Sequence, residues 1–116
     1  MIGCRPALTA MLLTLAIAVS GQNRITDSLL NIASRSSSDT ARVRLMIRAA
    51  QSSRASDPRQ SIELAKKALE ISKASDFQWG IAMAHRVEAN AYYDLTEYPE
   101  AMSQFEKALN GFEKLN

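Results

Sequence analysis

The chain has 116 residues, with one cysteine (Cys4), one histidine (His85), four glycines and three prolines; aromatics make up only 6% of it. Each scarcity excludes something. A lone thiol closes no disulfide within the chain and builds no thiolate metal site, and Cys4 lies ahead of an apolar run that reads as a removable leader. A single histidine without a cysteine or second histidine beside it makes no zinc-type ligand set, so neither a metal nor a cofactor is expected. So few glycines and prolines leave little room for turns, and no segment alternates strictly between apolar and polar, so strands have no support. There is no Gly-x-Ser-x-Gly, no His-Glu-x-x-His and no carboxylate pair in a suitable context. No catalytic residue is therefore assigned, and enzyme activity is not expected. A formal net charge of +2 is too small to point to nucleic acid or to a membrane surface.

What remains is a chain rich in alanine and leucine, enough for an all-α core of one domain at most. Its first part stands apart. Met1 to Arg5 carries one positive charge, Ala7 to Val19 is an uncharged apolar run, and Ala18-Val19-Ser20 supplies the small residues of a cleavage site. That is a secretory signal pattern, too short for a comfortable membrane span, so residues 1–20 are expected to direct export to a periplasmic or extracellular location. Membrane attachment would need an uncleaved signal or a span beyond this sequence.

Beyond the signal, helical signals follow one another. Ile25, Leu29, Ile32 and Ala33 recur at the spacing of one helical face, and the serine-rich stretch Ser34 to Ser38 reads as a linker. Asp39-Thr40 supplies capping side chains for a helix from about Ala41 to Ser53. Asp57, Pro58 and Gln60 make a second start signal: the aspartate accepts from an orphan N–H, and proline lacks only a donor that had no partner. That helix runs to about Ser75 with Ile62, Ala65, Ala68, Leu69 and Ser72 along one stripe. Asp76 to Gly80 reads as a hinge carrying Phe77 and Trp79, followed by helices over Ile81–Leu95 and Pro99–Leu115.

The chain also repeats itself. Lys67-Ala68-Leu69 returns forty residues later as Lys107-Ala108-Leu109, and Ser61-Ile62 returns as Ala101-Met102. Self-similarity at a fixed spacing marks stacked helical units, each of which buries its stripe only against its neighbours. From Ala82 as the first position of a unit, Ala89, Tyr92, Tyr98, Ala101, Phe105 and Ala108 fall where the tetratricopeptide repeat places its small and aromatic residues, and the segment resembles that family. Departures are His85 where Trp is common, Glu88 where Leu is and Thr96 where Gly is. A first unit beginning at Arg42 matches through Leu45, Ala49, Ser61, Ala65 and Ala68. Its forty-residue spacing exceeds the family's period, and the excess is placed at Lys73 to Ile81.

The resemblance implies an α-solenoid of antiparallel helix pairs, about five helices after the signal. Residues 21–40 form an N-terminal helix and linker that can cap the array, 41–80 the first unit and 81–116 the second. It also implies a concave, peptide-binding face on the first helix of each unit, here Val43, Met46, Ala50 and Ser53, then Met83, Arg86, Asn90 and Tyr93. Arg86 and Asn90 share a helical face, as half of a clamp on a peptide carboxylate would. The expected function is an exported protein- or peptide-binding module with a sensory or scaffold role, and no nucleic-acid partner. The alternative is the N-terminal part of a membrane-anchored signalling enzyme, a histidine kinase or an adenylate or guanylate cyclase, whose output domain is absent here. The stretch Met102, Phe105, Leu109 and Phe112 is expected to form an uncovered apolar flank and to favour self-association.

Overall fold

The computed structural model describes residues 24–115; the expected signal, residues 1–20, lies outside them. Among the described residues the chain is all-α, with five helices and no strand: α1 (24–35), α2 (Asp39–Ser53), α3 (Pro58–Ala74), α4 (Gln78–Asp94) and α5 (Tyr98–Glu113).

The helix starts show local chemistry winning at some positions and losing at others. Asp57 caps α3 as expected: its Oδ1 accepts from the Gln60 N–H at 3.1 Å, and Pro58 opens the first turn. At α2 the cap is Ser38 rather than Asp39 or Thr40. Ser38 holds the extended backbone a cap needs, and its hydroxyl accepts from the Ala41 N–H at 3.4 Å. Asp39 already lies within the first turn, where its charge suits the helix dipole. Helix α4 begins at Gln78, so Trp79 and Gly80 are helical and the expected Asp76–Gly80 hinge is not there.

The connections α3–α4 and α4–α5 are built alike. Asp76 and Thr96 adopt left-handed backbone, with φ of 52° and 60°. The Phe77 N–H then reaches back to the Ser72 carbonyl at 2.8 Å, and the Glu97 N–H to the Tyr92 carbonyl at 2.9 Å. Inside each, Asp76 donates to Lys73 at 3.3 Å and Thr96 to Tyr93 at 2.9 Å. This pairing is the Schellman motif, which satisfies the last carbonyls of a helix while reversing the chain. The excess expected at Lys73–Ile81 is divided among the end of α3 at Ala74, the turn and the first turn of α4 from Gln78.

Successive helices pack on one another, α2 on α3, α3 on α4 and α4 on α5, and α2 also touches α4. Small residues permit these approaches, and they recur at the forty-residue spacing: Ala49 and Ala89, Ser61 and Ala101, Ala68 and Ala108 are all buried. Buried Ser61 satisfies its hydroxyl by donating to the Ala50 carbonyl at 2.7 Å, which ties α3 to α2. Gly80 marks the tightest point, where a Cβ would stand 2.9 Å from Val43 Cγ1 and 2.8 Å from the Phe77 ring. Two ion pairs cross between the helix ends, Arg54 with Asp94 at 2.8 Å and Arg59 with Glu97 at 3.0 Å. Both are largely exposed and worth about 0–1 kcal/mol each.

Helix α1 is rotated from its expected setting. Ala33 is buried and Leu29 packs against the core as expected, but Ile25 and Ile32 are exposed, and Thr26 and Leu30 take their place on the inner side. The stripe Thr26, Leu30, Ala33 is as helical as the one expected, and its short ends let α1 lie close to α2. The Thr26 and Ser52 hydroxyls hydrogen-bond at 2.9 Å, a contact no isoleucine could make.

Candidate functional site

The residues assigned to a concave face separate into two groups. Val43 and Ala50 are fully buried, and Met46, Met83 and Ser53 nearly so. Val43 abuts the start of α4 at Gly80, and Met46 borders a small apolar space shared with Leu30, Ala33 and Ile71. These five side chains belong to the core and offer no surface to a ligand. Arg86, Asn90 and Tyr93 are different: Arg86 and Tyr93 are exposed, Asn90 half-buried, and all three follow one stripe of α4. Tyr93 is 59% exposed, and its ring meets Tyr98 edge-on at 5.4 Å, so a large aromatic surface stands in solvent at the α4–α5 turn.

At the other end of α4, Phe77 and Trp79 pack against the core with ring centroids 5.6 Å apart. The Arg44 guanidinium lies over Trp79 at 4.4 Å and over Phe77 at 5.4 Å, a cation–π stack that links α2 to α4. Four of the first unit's arginines (Arg42, Arg44, Arg54 and Arg59) thus have aromatic or carboxylate partners within the chain.

A second locus was not assembled from the sequence. His85 and Glu88, one turn apart on α4, open into a groove of about 370 Å³. Helix α3 lines it with Lys66, Leu69, Glu70 and Lys73, which share one helical stripe, and α5 with Gln104 and Lys107. The His85 ring donates from Nδ1 to the Gln104 carbonyl oxygen at 2.7 Å. Burial holds the imidazole below its ordinary pKa; the Gln104 bond opposes this, and Lys107 and Lys73 add to it. Glu88 is only 2% exposed and forms no hydrogen bond or ion pair with the described residues. Burial pushes its carboxyl pKa up, against the pull of Lys66, Lys107 and Lys73. The sequence signal was present, since His85 and Glu88 stand where Trp and Leu are common, but the lysines that meet them come from helices on either side.

Among the described residues no cluster of three or more His, Cys, Asp or Glu is arranged to hold a metal ion. No described helix is long and apolar enough to cross a membrane. The class defined by these observations is an all-α chain of successively packed helices with a polar groove between α3, α4 and α5 and exposed aromatics at the α4–α5 turn. Comparison with protein-family models, with curated proteins and with solved structures gives no match.

Proposed function

We propose that this chain is an exported module that binds a protein or peptide through helix pairs of the tetratricopeptide type. Support for the repeat reading comes from its two halves, in which buried small residues recur at one forty-residue spacing. The observation that carries binding is the α4 stripe of Arg86, Asn90 and Tyr93. A cation, an amide and an exposed tyrosine on a rigid helix are the groups that hold an extended peptide: Arg takes a carboxylate, Asn a backbone amide and Tyr an apolar side chain. The binding face is smaller than the resemblance implied, because its first-unit members and Met83 of the second unit lie in the core.

Peptides selected on the mature chain from a displayed library test this reading. Arg86→Ala and Tyr93→Ala should each weaken the selected peptides by about 1–3 kcal/mol, the range for anchor residues at an interface. Undiminished affinity in both variants would remove the α4 stripe from the account.

One observation favours the second reading, a sensing portion of a membrane-anchored kinase or cyclase. Helix α5 exposes Met102 (72%) and Leu109 (59%), whereas Ile62 and Leu69, their counterparts on α3, are covered to 6% exposure and half-buried. A further helix, from a longer reading frame or from a second copy, would bury that face. Further helix pairs and an apolar run of about twenty residues encoded downstream would decide for the signalling enzyme. Sedimentation of the isolated chain as a concentration-dependent dimer would decide for self-association.

A further inference from the structure

We propose that the groove between α3, α4 and α5 binds a small phosphate-type oxyanion, with Lys66, Lys73 and Lys107 turned to its charged oxygens and Glu88 accepting a hydrogen bond from its P–OH. The inference does not rest on the peptide-binding reading, which uses Arg86, Asn90 and Tyr93 on α4.

The starting point is Glu88. The residue is 2% exposed, and its carboxylate oxygens, which no described residue hydrogen-bonds, meet solvent only where they open into the groove. Its side chain lines a groove and so reaches whatever enters it. Three lysines border the same space, none of them within ion-pair distance of Glu88. Against Glu70 and Glu88 they leave one excess positive charge (3 − 2 = +1) while His85 is neutral. The groove therefore offers three cationic donors and two carboxylate acceptors, exposed Glu70 and buried Glu88.

Few ligands answer both demands. A carboxylate or a sulfate satisfies the lysines but brings no proton for Glu88 at neutral pH. An amine satisfies Glu88 and is repelled by the lysines. Inorganic phosphate does both, since at neutral pH it carries a P–OH beside its charged oxygens, and charge-assisted bonds from lysine to such oxygens are among the stronger ones in water. A volume of about 370 Å³ lies at the small end of ligand sites, large enough for phosphate or a short phosphomonoester. His85, held by Gln104 on the wall, stays neutral and keeps the groove from gaining further charge.

Calorimetric titration of the intact chain with sodium phosphate and sodium sulfate near pH 7.5 is the test. Phosphate should bind about tenfold more tightly than sulfate. Lys73→Ala and Lys107→Ala, both exposed and so harmless to the fold, should each weaken phosphate by about fivefold or more. Glu88→Gln, which removes the repelling charge, should bring sulfate up towards phosphate. Phosphoserine distinguishes the source: its last proton leaves near pH 6, so an ester bound through the same contact tightens between pH 7.5 and about pH 6, and one that does not leaves free phosphate as the ligand. Absence of phosphate binding by the folded chain, equal affinity for the two anions, or indifference to both lysine substitutions would each overturn the proposal.

Discussion

Replacing Thr96 by glycine should stabilise the protein, although it deletes a side chain. Thr96 sits at the left-handed position of the α4–α5 turn with φ of 60°, where a β-branched side chain crowds the backbone. The left-handed conformation costs an L-residue about 1–2 kcal/mol. Glycine removes that cost but adds unfolded-state freedom worth about 0.5–1 kcal/mol. The Thr96 side chain is exposed and makes no hydrogen bond, so nothing else is lost, and the backbone bonds from Thr96 and Glu97 remain. The net gain is about 0.5–1 kcal/mol, or about 2–6 °C in Tm for a domain of this size. Thermal and urea unfolding followed by far-ultraviolet circular dichroism measure it. Asp76→Gly is the internal comparison. Aspartate tolerates the left-handed region better than threonine, and Asp76 also accepts from Gln78 Nε2 at 2.8 Å, so its replacement should gain less or lose. A Thr96→Gly variant less stable than the parent, or one that gains less than Asp76→Gly, would refute the turn assignment.

Gly80→Ala should act in the opposite sense. Alanine ordinarily improves a helix interior by about 1 kcal/mol, but here its Cβ would press on Ser72, Phe77 and Val43 at once. A net loss of about 1–3 kcal/mol in urea midpoint stability is expected from such overpacking. Glu88→Gln should change the pH profile of stability. The raised folded pKa of Glu88 means that the folded state holds its proton more tightly than the unfolded chain. Its stabilising contribution is therefore present below the unfolded value of about 4.3 and lost as pH rises through the folded one. The variant should exceed the parent at about pH 8 and lose that advantage below about pH 4, as denaturation at the two pH values would show.

The sequence yielded what is encoded within a few residues. Asp57-Pro58-Gln60 is a self-contained start signal, and α3 begins where it says. The start of α4 was misplaced because its cap residue, Phe77, makes no side-chain bond to the helix; the boundary is set by the Schellman bonds of α3 and by aromatic packing against the core. The α1 face was misjudged in part for a related reason: Leu29 and Ala33 face the core as expected, but hydropathy favoured Ile25 and Ile32 where the hydroxyl pair with Ser52 favoured Thr26. The concave-face residues came from register alone, and register does not say how closely neighbouring helices approach. Val43 and Met46 are closed off by α4 and α1, whereas Arg86 and Tyr93 are not. The unusual His85 and Glu88 were visible as departures, but their meeting with Lys66, Lys73 and Lys107 is a property of three packed helices and of no single segment.

The central claim is that α4 carries the binding face, and amide chemical-shift mapping with a selected peptide tests it most directly. The account predicts shifts concentrated at Arg86, Asn90 and Tyr93, extending to Tyr98 across its edge-on contact. Shifts confined to the outer face of α5 around Met102 and Leu109, with the α4 stripe silent, would contradict it.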